Sequence, residues 1–211
     1  MSSARFRYCQ PGDIDAALPL IISSGPEAFA YAFNDRNSDQ LDAFLRRAFA
    51  TGGNEFSAEQ HLALEENGEI VALGALRFAA QTPRFTAQAM TLILRHYRPL
   101  AALRTAWRGL RTEAVIKPPP RGVAFIYQLA VRPDQQGRGH GRRLVAELLR
   151  RAQQQGYRRA GLNVSEENPR AQALYEQLGF RVVQQYHSAL RSDFGHVPGQ
   201  RYMELALAAN T

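Results

Sequence analysis

The stretch best equipped for chemistry is Gln128-Leu-Ala-Val-Arg-Pro-Asp-Gln-Gln-Gly-Arg-Gly-His-Gly141. A β-rich run enters a loop with three glycines and leaves it as a helix. Several backbone N–H groups then converge at a helix N-terminus, an arrangement suited to a phosphate group. Glycine lets an anion approach the backbone closely. Gly137 and Gly139 fit the start of a dinucleotide fingerprint, but position 142 is Arg, and no Gly-Lys-Ser/Thr follows as a P-loop requires. A plain glycine turn joining strand to helix is the alternative reading. One further strand on, Asn168-Pro-Arg-Ala171 and Leu174-Tyr-Glu-Gln-Leu-Gly-Phe180 set a phenol, Tyr175, on a short capped helix.

These groups need a scaffold, and its elements are legible. Phe6–Cys9 reads as a strand, followed by a turn that ends on Asp13, a helix-cap residue type. Ile14, Leu18, Ile21 and Ile22 share one helical face, Pro26-Glu27 suits the start of a second helix, and Leu41 to Phe49 supplies a third. His61–Glu65 and Ile70–Phe78 flank Asn67-Gly68, a strong hairpin signal. Ala87–Arg111 is helical in composition, interrupted by Pro99 and closed by Lys117-Pro118-Pro119-Pro120. Strands at Gly122–Val131, Ala160–Val164, Phe180–His187 and Tyr202–Leu207 alternate with helices after Gly141 and Asn168. The expectation is a single α/β domain over residues 1–211 with one mixed, mostly antiparallel sheet, helices on both faces, and a helical insertion at about 79–121.

At 211 residues, with 45% hydrophobic and 21% charged side chains, the chain can bury a large core, and disordered or collagen-like classes are excluded. Its net charge of +7 invites a nucleic-acid or membrane reading. That excess lies between Arg77 and Lys117, where eight basic residues face one acid, Glu113, and the rest of the chain is neutral. Within the segment Leu100, Leu103, Trp107 and Leu110 fall on one helical face and Arg104, Arg108 and Arg111 on its neighbour. An apolar face docked on the domain with a solvated arginine edge is the plainest reading. A homodimer contact, an anionic partner and a membrane surface are the others. No nucleic acid is expected, since no reading motif accompanies the charge. Cys9 is the only cysteine, so an internal disulfide and a Cys-based zinc site are excluded, and no metal is expected. Residues 1–7 lack a signal-peptide core and no run of about 18 apolar residues occurs. The expectation is a cytoplasmic protein without a transmembrane segment.

Taken together, Gln136-Gly-Arg-Gly-His-Gly141 and the Asn168–Phe180 stretch resemble the signatures of the GCN5-related N-acetyltransferase (GNAT) family, with one spacing difference between Ala171 and Leu174. The resemblance implies acetyl-CoA as co-substrate, bound where the Gly122–Val131 strand splays from Ala160–Val164. Leu129, Ala130 and Val131 would meet the pantetheine arm. Amides of Gln136, Gly137, Arg138, Gly139, His140, Gly141 and Arg142 would hold the pyrophosphate. The side chains of Arg138 and Arg142 are either phosphate contacts or solvated arginines. Asn163, Asn168 and Ala171 would be further contacts, with helix capping an equal role for Asn168. Tyr175 would be the general acid for the departing thiolate; a core aromatic beside Leu174 and Leu178 is its other reading.

The chain departs from the better-known members in one respect: Ala124–Ala130 contains no carboxylate to serve as base. Glu27, Glu113, His61, His187 and His196 are the candidates. Glu27 ranks first because the early helices cover the acceptor site in this family, and Ser188–Gln200, with Asp193 and His196, would form another wall. The function implied is transfer of an acetyl group from acetyl-CoA directly to an amine. The alternative is a non-catalytic CoA-binding module whose basic insert engages an anionic partner or membrane.

Overall fold

The computed structural model describes residues 4–34 and 40–208. Seven strands form one sheet: β1 (Ala4–Tyr8), β2 (His61–Glu66), β3 (Glu69–Arg77), β4 (Ala124–Val131), β5 (Arg159–Ser165), β6 (Arg181–Tyr186) and β9 (Gln200–Ala206). Two short strands, β7 (Arg191–Ser192) and β8 (Gly195–His196), pair in a small hairpin inside what the sequence reads as a loop. The sheet order is β1-β2-β3-β4-β5-β9-β6, with every pairing antiparallel except β4 with β5. Asn67 and Gly68, with φ of 52° and 84°, turn β2 into β3 as their spacing predicts.

The helices are α1 (Ile14–Ser23), α2 (Pro26–Phe33), α3 (Gln40–Ala50), α4 (Thr82–His96), α5 (Pro99–Thr112), α6 (His140–Gln154) and α7 (Pro169–Gln177). Proline occupies the first turn of α2, α4, α5 and α7, where its missing N–H costs nothing. The α4 helix begins at Thr82 rather than Ala87. The Gln81 side chain accepts from the Phe78 amide at 2.9 Å just ahead of it, and Pro83 suits its first turn. One core, built from α1, α3 and α4 with Ala63, Ile70, Leu73 and Ala130, covers one face of the sheet. A second, from α6 and α7 with Leu62, Leu64, Val71 and Ile126, covers the other. Cys9 is 5% exposed, and burial pushes its thiol up to about 12, which keeps it protonated and unreactive.

The α5 helix corrects the expectation of a docked apolar face. It packs on the body through Ala102 and Thr105, both buried, while Leu100, Leu103, Trp107 and Leu110 are each more than 60% exposed. The cause is geometric, because small residues allow α5 to lie close against α2 while bulky ones would hold it off. Arg108 turns inward from the expected solvated edge. It donates to the Asn34 carbonyl at 2.7 Å and lies over the Phe194 ring.

An ion cluster ties β1 to the body: Arg7 donates to Glu65 at 2.6 Å and, through both terminal nitrogens, to Asp13 at 2.6 and 2.8 Å. The hydrogen bonds from Arg7 hold both carboxyls below their usual range. A depressed carboxyl contributes stability that is present above its unfolded pKa near 4 and lost as pH falls through the folded value. Arg7→Met is therefore expected to lower the melting temperature at pH 7, with the gap to wild type closing below about pH 4. A gap that stays constant down to pH 3 would show that the cluster contributes nothing through charge.

Candidate active site

The site is built around an interruption between β4 and β5. Their parallel pairing stops at Ile126↔Leu162, and beyond it β5 pairs only with β9. A bulge in β4 accompanies the split. Between the Leu73↔Ala130 and Ala75↔Tyr127 pairs, β3 supplies one residue, Gly74, against Gln128 and Leu129. Gln128 takes φ of 50°, an unusual backbone for a side chain of its size. Its side-chain oxygen lies 2.6 Å from Nε2 of His61, and the Ser57 carbonyl oxygen lies 2.9 Å from Nδ1 of the same ring. His61 is fully buried, burial lowers its pKa, and its two ring contacts pin the bulge. That engagement of both ring nitrogens removes His61 from the candidate bases.

The glycine loop lies at the far end of β4. Gln136 donates its amide to the Pro133 carbonyl, and Arg143 donates to Gly139. Between them, the amides of residues 137–142 donate to no backbone carbonyl among the described residues. Gly137 and Gly139 hold the left-handed φ of 80° and 83°, and α6 begins at His140. Arg138 and Arg142 are exposed beside the loop, and Arg142 donates to Gln177 at 3.1 Å. His140 is buried, with Nδ1 3.6 Å from Glu66, so only its backbone faces the loop. Arg170, which the sequence reading passed over, donates to the Gln136 side chain at 2.9 Å and adds a third cation nearby.

Asn168 accepts from the Ala171 amide at 3.0 Å and caps α7. The Ala171 amide is thereby occupied. Tyr175 is buried on the α6–α7 side, edge-on to Phe180 with ring centroids 6.0 Å apart. Burial pushes its phenol up to about 12, and its hydroxyl makes no hydrogen bond to the described residues. Both polar atoms of the Asn163 amide, in the splayed part of β5, are buried without a partner among the described residues. A buried amide without a partner is costly, and a ligand with donor and acceptor groups lying along the split would satisfy it.

On the opposite side of the sheet, a cavity of about 540 Å³ runs from α2, α4 and α5 to the split, where Ile126, Tyr127, Gln128, Asn163 and Ser165 line it. Phe29, Phe33 and Phe56 supply apolar wall, and Glu27, Glu55 and Glu113 supply carboxylates. Its two cations are already engaged, Arg77 with Glu55 at 2.7 Å and Lys117 over the Tyr186 ring. Neither Glu27 nor Glu113 has an ion-pair partner among the described residues. Tyr175 is not part of this wall; it packs in the core on the other face of the sheet.

Glu55 is a carboxylate that sequence reasoning missed. Desolvation raises its pKa, opposed by Arg77 and reinforced by Glu113. Its place depends on Asn54, fully buried, which donates to Ala48 at 2.9 Å and accepts from the Phe56 amide at 2.8 Å. No periodicity marks such a turn; an Asn after Gly52-Gly53 is the only signal. Of the other candidates, His187 is exposed and His196 pairs with Glu167 at 2.9 Å. The segment 188–200 supplies Pro198 and Gln200 to the cavity, and its β8 strand packs on α2 near Glu27.

A family model described as the Acetyltransferase (GNAT) family matches residues 27–180. The mycothiol acetyltransferase of Beutenbergia cavernae is 44% identical over 68 residues, 32% of this chain and 23% of the relative, so the match spans about a quarter of that relative's length. An N-acetyltransferase from Staphylococcus aureus Mu50 has the same fold, with a TM-score of 0.71 and 14% identity over 95% of this chain and all of that one. The yncA protein of Salmonella typhimurium, solved with its cofactor acetyl-CoA, superposes with a TM-score of 0.52 and 21% identity, covering 100% of this chain and 97% of that one.

Proposed function

Because the chain belongs to the GNAT acetyltransferase family, we propose that it transfers the acetyl group of acetyl-CoA to a primary amine that enters through the cavity beside Glu27. The observation that carries this reading is the run of unoccupied amides at 137–142 beside a split sheet that holds an unpartnered Asn163. Acetyl-CoA supplies an activated thioester. In this reading the loop amides, with Arg138 and Arg142, hold the pyrophosphate, while Leu129, Ala130, Val131 and Asn163 align the pantetheine arm along the edge that β5 leaves free. Asn168 and Ala171 keep α7, and with it Tyr175, in position.

An amine attacks only when neutral, so Glu27 accepts the proton of the incoming ammonium, directly or through water. The nitrogen forms its bond to the acetyl carbon, the carbon–sulfur bond breaks, and the Tyr175 hydroxyl gives its proton to the sulfur. The nitrogen sheds its second proton, which replaces the one Tyr175 gave up, Glu27 returns its proton to solvent, and the balance is one amide, one thiol and one proton released. The unpaired carboxylates and phenylalanines of the cavity favour a cationic amine with an apolar body.

The test is release of free CoA from acetyl-CoA across a panel of primary amines graded in apolar size. Acceptor-dependent release supports transfer. Tight acetyl-CoA binding with no release on any amine would leave the protein a binding module. Glu27→Gln is expected to lower kcat/KM by about 10²-fold and to weaken its rise with pH, with CoA affinity unchanged. An unchanged profile would assign the proton to water or to Glu55.

A further inference from the structure

Six of the nine large hydrophobic side chains exposed among the described residues sit on α4 and α5: Met90, Leu94, Leu100, Leu103, Trp107 and Leu110. Scattered exposed leucines are ordinary, but a concentration of this kind marks a surface that is covered in use. On α5 these side chains and Arg104 and Arg111 share an arc of roughly 120° at 100° per residue. Arg95 and Arg98, also exposed, sit at the turn between the helices. No carboxylate occurs from Thr82 to Thr112, and none of these four arginines has an ion-pair partner among the described residues.

We propose that this face docks on an anionic lipid bilayer. A bilayer matches both halves of the chemistry. Leucine and tryptophan enter the boundary between headgroups and acyl chains, and the bordering guanidiniums bind phosphate oxygens in the geometry they favour. A second copy of the chain fits poorly, because a two-fold contact through this face would set arginine against arginine. A nucleic acid would satisfy the arginines and leave the leucines in water. Met90 and Leu110 also line the cavity, so a bilayer seated here borders its rim. The inference stands on surface chemistry and holds whether or not the chain transfers acetyl groups.

Trp107 is the only tryptophan, so its emission reports this surface alone. The full chain is mixed with phosphatidylcholine vesicles with and without phosphatidylglycerol, followed by flotation and fluorescence. Expected are a blue shift and co-flotation with the anionic vesicles only, both reversed by salt. Arg104→Gln with Arg111→Gln should weaken binding about thirtyfold. Leu100→Ser with Leu103→Ser should abolish the blue shift while leaving the melting temperature unchanged, since all four side chains lie on the surface. The proposal is overturned by no binding, by equal binding to neutral vesicles, or by variants that bind like wild type. It is also overturned if Trp107 becomes shielded without lipid in a sedimenting dimer. The same shift with polyglutamate or duplex DNA but not with vesicles would assign the face to that partner instead.

Discussion

Tyr175→Phe is expected to lower kcat by about 10²–10³-fold while the Kd for CoA and the melting temperature stay within error of wild type. The hydroxyl makes no hydrogen bond to the described residues, so deleting it leaves no buried partner unsatisfied. The ring keeps its edge contact with Phe180. With burial holding the phenol near 12, the acid stays protonated across the assay range, so Tyr175 adds no falling limb to kcat between pH 7 and 10. An acid acts on the leaving group, hence the loss falls on turnover and not on affinity. Isothermal titration with CoA beside steady-state kinetics separates the outcomes. Unchanged turnover would remove the acid role. Parallel losses in affinity and melting temperature would make Tyr175 a packing residue.

Gly139→Ala is the second large effect, and it divides differently. In the free chain a Cβ at this position meets no atom within 4 Å, so the variant suffers backbone strain without a clash. That strain costs about 1–2 kcal/mol, a loss of a few degrees in melting temperature. The larger consequence is on the ligand. Turning one or two amides away from an anion forfeits charge-assisted hydrogen bonds worth about 1.5–3 kcal/mol each, so CoA affinity should fall about 10²-fold. Gly68→Ala is the control. It shares the left-handed φ and the open space but lies in the β2–β3 turn, and it should lose stability alone. If the two variants bind CoA equally well, the loop is not where the pyrophosphate sits.

The parts of the site that were legible in the sequence are those whose chemistry is local. Asn168 caps the helix it precedes, and Gly137 and Gly139 take the only backbone their loop allows, because each effect operates within a few residues. Glu55 and the Gln128–His61 pin were invisible for the opposite reason, since their partners are supplied by distant strands and a buried turn. The α5 helix shows a subtler limit. Periodicity identifies its two faces correctly, yet cannot say which is docked, and the buried contact is made by the small Ala102 and Thr105.

The order of the sheet has a consequence in time. Strand β9, the last in sequence among the described strands, is wedged between β5 and β6, and holds the wall of the split that β4 has abandoned. During synthesis the first four strands can assemble as neighbours long before residue 200 has left the ribosome, but β5 must wait with one edge bare. A chain without β9 presents only half of the groove. The groove is thus complete only with the last strand, and until then one edge of β5 and the whole of β6 lie unpaired.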